Sequence, residues 1–193
     1  AIEALKDIKT VVMDKTGTVT KGNFAVERIV TVRRLTEKQI LSIAADCELD
    51  SSHPIGNSII QEARKRGLES VRPKEVQEIS GKGIKAVFPE GEVLCGNRAL
   101  MEANGINLEE FHWEEGGTEV LIAIEGELQG YLIINDIIKE EAKEAVKNMK
   151  YAGLFTVMLT GDASQSAHAV ADRIGIEEFH AQLLPQEKLS HLK

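Results

Sequence analysis

At 193 residues the chain is long enough for one large or two small domains with a real apolar core. Its 42% apolar and 28% charged residues exclude an intrinsically disordered chain, and a formal charge of −8 excludes the broad basic face of a general nucleic-acid binder. It has no secretory signal and no apolar run near the roughly 18–20 residues of a membrane helix, so the segment itself reads as soluble.

Residues 8–13 (IKTVVM) form a short β-rich apolar run that predicts a buried strand ending at Asp14. FAVERIVTV (24–32) alternates loosely and reads as a second strand. From Thr36 the period becomes helical, with Ile40, Leu41, Ile43 and Ala44 on one face and Thr36 and Glu37 as the start signal. A second helix opens in SSHPIGNSIIQEARKRG. Pro54 suits its first turn and Gly67 its stop. Three β-like stretches follow at 75–80, 84–88 and 91–96, joined by Gly81-Lys82-Gly83 and by the tight turn Pro89-Glu90-Gly91. A short helix over 97–104 and a polar loop through Trp113 lead to a hairpin turning at Glu125-Gly126. The remainder alternates: helix 139–152, strand 154–160, helix 164–174, a short stretch at 178–183, and a helix opening at Pro185.

Strands that alternate with helices imply βαβ units and a parallel sheet, whereas the strand-rich middle predicts antiparallel pairing. The opening strand belongs with the alternating half. The expected fold is therefore a discontinuous α/β domain, 1–22 plus 135–193, carrying an inserted α+β domain at 23–134. Cys47 and Cys95 stand alone, without a CxxC or Cys/His cluster, and read as small packed residues in a reducing compartment.

Ligands of open α/β sheets bind outside the carboxyl ends of the strands. Asp14 and Thr160-Gly161-Asp162 both sit at such ends. A carboxylate can attack a phosphoryl group if a cation and hydrogen-bond donors compensate the charge. Lys15, Thr16, Gly17 and Thr18 can supply donors, Thr160 adds a hydroxyl, and Gly161 opens a helix whose N-terminus favours an anion. DKTGT (14–18) resembles the phosphorylation motif of P-type ATPases, whose phosphorylation domain belongs to the haloacid dehalogenase superfamily. TGD (160–162) and LLPQEK (183–188) follow in that family's order. The resemblance implies that Asp14 accepts the phosphoryl group, that Thr160 binds it, and that Lys188 shields charge beside the nucleophile. It also matches Asp136 of INDIIK to an aspartate that starts the returning half. Phosphatases of the superfamily typically carry an acid/base Asp two residues after the nucleophile. Thr16 occupies that place here and cannot act as a base near neutral pH, which suits a lasting phosphoenzyme better than free hydrolysis.

Within the insertion, HP (53–54), GKG (81–83) and GN (96–97) resemble signatures of the heavy-metal-transporting P-type ATPases, the IB subclass. That likeness implies an ATP-binding domain in which Glu48 and His53 orient the adenine. Gly81 and Gly83 would let backbone approach the nucleotide, with Ile84, Gly96 and Asn97 nearby, and hinge closure through 20–24 and 132–136 would bring ATP to Asp14. Mg²⁺ would be held by Asp14 and the Thr16 carbonyl. Two departures stand out: Ala163 replaces the Asn that usually follows TGD, and the chain stops at Lys193, before the family's GDGxND stretch. The expectation is thus a cytoplasmic fragment of a membrane-embedded, ATP-driven heavy-metal exporter, whose partners are ATP, the transported cation, and the pump's actuator and membrane domains, with no nucleic acid. The alternatives are a haloacid dehalogenase-type phosphatase and, for the isolated chain, a nucleotide-binding module without turnover. Which metal is carried is not written in these residues.

Overall fold

A computed structural model of the chain describes residues 8–109, 113, 116–162 and 164–190. In chain order its elements are β1 (Thr10–Asp14), β2 (Thr20–Thr31), α1 (Glu37–Cys47), α2 (Pro54–Lys65), β3 (Glu75–Ile79), β4 (Gly83–Phe88), β5 (Gly91–Gly96) and α3 (Arg98–Ala103). After the loop around Trp113 come β6 (Thr118–Ile124), β7 (Glu127–Ile138), α4 (Ala142–Tyr151), β8 (Phe155–Leu159), α5 (Ser164–Ile174), β9 (Glu178–His180) and α6 (Pro185–Ser190). They fall into two compact units, one of Ala1–Asn23 with Asp136–Lys193 and the other of Phe24–Asn135. The chain crosses between units inside β2 and again inside β7, so strands rather than loops make both crossings.

In the first unit the sheet order is β1-β8-β9, all parallel, with Asp14 opposite Leu159 and Leu159 opposite His180. The apolar faces of α4 and α5 close over it. Val146, Ala167, Val170 and Ile174 pack with Val19 and Met158 into one core. The helix expected from residue 139 begins at Ala142, because β7 runs on to Ile138 and the Lys139 N–H is bound by the Val19 carbonyl.

The second unit is built on a six-stranded sheet ordered β2-β7-β6-β5-β4-β3, with antiparallel pairing from β7 to β3. Both faces of its central strands, β5 to β7, are buried. Val93, Cys95, Val120, Ile122, Leu132 and Ile134 point to the side of α1 and α2. The residues between them (Leu94, Leu121, Ala123, Tyr131 and Ile133) point to the side of α3. Two covered faces explain why 120–124 and 131–134 are continuous apolar runs instead of alternating ones. Ile40, Leu41 and Ile59 are fully buried, each contributing about 2 kcal/mol of transfer free energy.

Local signals set the helix ends. Thr36 and Gln39 form a reciprocal capping box at the start of α1. Pro54 stands in the first turn of α2, and Gly67, with φ of +68°, lets the chain leave it. The β6–β7 hairpin turns at Glu125 and Gly126, with φ of +47° and +82°, the pattern of a type I′ turn.

Candidate functional site

Parallel pairing of β1 with β8 delivers Asp14 and the Thr160–Asp162 segment to the same, carboxyl end of the sheet. Asp14 is about half exposed, and Lys188 Nζ donates to its Oδ1 at 2.6 Å. Thr160 is buried. Its backbone N–H donates to the His180 carbonyl at 2.9 Å and its carbonyl accepts from Leu183 N–H at 3.1 Å, while its Oγ accepts from Asp162 N–H at 3.1 Å. The hydroxyl proton of Thr160 is therefore left for another acceptor. Gly161 is exposed between Thr160 and Asp162, and Ala163 lies outside the described residues.

The segment after Asp14 is an irregular turn over 15–19, in which Thr16 is extended (φ −74°, ψ 123°) and Gly17 takes φ of +79°. Lys15, expected among the phosphate donors, points inward: it is 4% exposed and ion-paired to Asp162. The pair ties the loop after β1 to the loop after β8. Thr16 remains exposed. Lys139 Nζ donates to the Gly17 carbonyl at 2.8 Å. Thr20 Oγ lies 3.0 Å from the Lys15 carbonyl and 2.5 Å from Asp136 Oδ2, and Asp136 Oδ1 is buried without a hydrogen bond. The Lys15–Asp162, Thr20–Asp136 and Lys139–Gly17 contacts join residues far apart in the chain, and no local sequence signal marks them.

The second unit holds a cavity of about 280 Å³. Glu48, His53, Gly81, Gly83, Ile84, Gly96 and Asn97 all line it, with Ser51, Glu78, Lys82 and Glu119. Glu48 ends α1 and His53 caps α2, its Nδ1 accepting from Ile55 N–H at 3.2 Å. Burial pushes the Glu48 carboxyl above its usual range, against the pull of a hydrogen bond from Ser51 and the charge of His53. Glu119 is held by a bidentate pair with Arg98 at 2.7 Å, and Arg98 lies over the Trp113 ring.

The glycines divide by role. Gly83 and Gly96 face each other across β4 and β5, and a Cβ on either would overlap the opposite backbone. Their first duty is to let two strands meet. Gly81 has open space around it, with φ of +70°. Asn97 caps α3 by accepting from Leu100 N–H at 3.1 Å, and its amide donates to the Gly81 carbonyl at 2.9 Å. Cys47 and Cys95 are free and buried.

The haloacid dehalogenase-like hydrolases match residues 8–193 as a family. The chain belongs to that family. Over its full length this haloacid dehalogenase-like chain is 40% identical to a zinc-transporting ATPase of Synechocystis sp. and 42% identical to a cadmium, zinc and cobalt-transporting ATPase of Bacillus subtilis. It spans 26% and 27% of the length of those relatives. The solved structure of a zinc-transporting PIB-type ATPase in the E2.Pi state superposes with a TM-score of 0.82 at 28% identity, over 99% of this chain and 32% of that one. No helix among the described residues is long and apolar enough to cross a membrane.

Proposed function

We propose that this haloacid dehalogenase-like chain is the ATP-binding and phosphorylation part of an ATP-driven heavy-metal exporter. ATP occupies the cavity of the second unit, and its γ-phosphoryl group passes to Asp14. The observation that carries this reading is Asp14 at the carboxyl end of β1, with an ammonium 2.6 Å away on Oδ1 and a threonine, not a carboxylate, two residues later. Asp14 Oδ2 attacks the γ-phosphorus, the bond to the bridging oxygen breaks, and ADP leaves with the electron pair. Lys188 offsets the charge that builds on the phosphoryl oxygens, and Thr160 donates its free hydroxyl proton to one of them. Because Thr16 cannot activate water, the acyl phosphate persists long enough to be coupled to movement elsewhere in the pump.

Mg²⁺ keeps several waters and needs few protein ligands beside substrate phosphates, and here Asp14 and the Thr16 carbonyl would be the protein oxygens that hold it. When bound, it would supply positive charge to offset the negative charge of the transferred phosphoryl group. The exported cation is read as cargo of the pump's membrane domains. The reading stops at a heavy-metal cation, because relatives named for zinc, cadmium, cobalt and copper all match the whole chain.

Calorimetric titration of the chain with ATP, with and without Mg²⁺, tests the reading directly. Saturable binding is expected, weakened about tenfold or more in His53→Ala (~1.4 kcal/mol). A folded chain that does not bind ATP, or binds it indifferently to His53, sinks the nucleotide assignment. In the full-length pump, label from γ-³²P-ATP should be acid-stable, hydroxylamine-labile and absent from Asp14→Asn.

A further inference from the structure

We propose that Lys139 is a positioning residue for phosphoryl transfer: its ammonium holds the Gly17 carbonyl and so sets the turn that follows Asp14. This inference rests on the phosphorylation reading above. Thr16 (φ −74°, ψ 123°) and Gly17 (φ +79°, ψ −16°) take the dihedrals of the two central residues of a type II turn. The central peptide of such a turn joins the Thr16 carbonyl, the oxygen assigned to Mg²⁺, to the Gly17 N–H, a donor for a phosphoryl oxygen.

Packing does not hold this peptide. Gly17 is exposed, and nothing lies within 4 Å of the place a Cβ would take. Hydrogen bonds fix the turn from either side instead. Before it, the Lys15 carbonyl accepts from Thr20 N–H, and the Lys15 ammonium is paired with Asp162. After it, Lys139 Nζ donates to the Gly17 carbonyl at 2.8 Å.

Lys139 follows the last residue of β7, and its backbone is bound on both sides. Its N–H donates to the Val19 carbonyl at 3.1 Å, and its carbonyl accepts from Ala142 N–H at 3.1 Å. The root of the side chain is thus fixed, so the ammonium gives up little freedom in meeting Gly17. Residues 136–139 grip 17–20 at three points, and these divide by task. The Thr20–Asp136 contact at 2.5 Å and the Lys139–Val19 backbone bond secure the base of the loop, while the ammonium on Gly17 reaches the turn itself. Without it, the two peptides that flank Gly17 can rotate about its soft dihedrals. The Thr16 carbonyl and the Gly17 N–H then no longer keep one direction. The step affected is transfer to Asp14 and not nucleotide binding, which belongs to the cavity of the second unit.

The test compares wild type, Lys139→Met and Lys139→Arg. In the full-length pump, phosphoenzyme formation from γ-³²P-ATP is timed across a Mg²⁺ series. In the 193-residue chain without nucleotide, NMR relaxation reports the order of the Gly17 and Thr18 amides. Lys139→Met should form phosphoenzyme about tenfold more slowly and need about tenfold more Mg²⁺ for half its maximal rate, the order of one lost charge-assisted hydrogen bond. Its calorimetric ATP affinity and melting temperature should stay those of wild type, because the base of the loop is intact, and the order of both amides should fall. Lys139→Arg, which keeps a charged donor, should restore rate and Mg²⁺ dependence. A wild-type rate and Mg²⁺ dependence in Lys139→Met would overturn the proposal. So would a lower melting temperature with the folded fraction phosphorylated at the wild-type rate, which marks a merely structural lysine. If wild type forms no phosphoenzyme, the phosphorylation reading fails and the amides decide alone: the positioning role stands if their order falls in Lys139→Met and is lost if it holds.

Discussion

Lys15 and Glu48 show the same economy at opposite signs: each is a charged side chain taken out of water by a neighbour that must hold it. Lys15 is buried against a half-exposed Asp162. Replacing Asp162 with Asn leaves an ammonium in the interior, and we expect a loss of about 2–3 kcal/mol, below the figure for a fully buried pair because Asp162 still meets solvent. Urea denaturation measures it; an unchanged midpoint would mean Lys15 simply turns outward. Glu48 is a liability to folding, one that the proposed nucleotide contact would account for. Its folded pKa lies above the model-peptide value of 4.5. Between that value and the folded pKa the native state binds the extra proton, so stability falls as pH rises through the window and stays lower above it. Glu48→Gln should therefore melt higher than wild type at neutral pH, and the two should converge as pH falls below 4.5. Neither burial was legible in the sequence. DKTGT shows a lysine beside the nucleophile, but that it turns inward depends on a residue from another strand end.

Element by element, the helices and most strands could be read from period and punctuation, because each carries its own start and stop chemistry. The Thr36 capping box alone is worth about 1 kcal/mol, which Thr36→Ala should remove in thermal melts. The first residues of β2, TKGN, were not legible as strand: their composition is that of a turn, and pairing beside β7 overrides it. The glycines of the cavity were legible as special but not for their full reason. Gly83 combines φ of +137° with a backbone contact to Gly96 that no side chain fits. Gly83→Ala should cost about 2–4 kcal/mol and lower the melting temperature whether or not nucleotide is present. A variant of normal stability that only lost ATP would return Gly83 to a purely ligand-facing role.

For the molecule as a whole, two cores that share no buried cluster predict two unfolding events. ATP at about a hundred times its dissociation constant should raise one of them by about 2.7 kcal/mol and leave the other in place. Scanning calorimetry reads both at once, and a single transition that ATP moves as a block would show the units to be thermodynamically one. The order of elements was readable in the sequence as alternation broken by a strand-rich middle. What was hidden is the manner of crossing, since β2 and β7 run through the division where a linker would be sought. The inserted unit leaves on one strand and returns on the strand bonded beside it, and just on the host side of the cut Thr20 touches Asp136. The severed ends of the host are thus already neighbours. A gene engineer could lift residues 24–135 out as a cassette, rejoin 23 to 136 with a few glycines, and graft a different binding unit into the same slot.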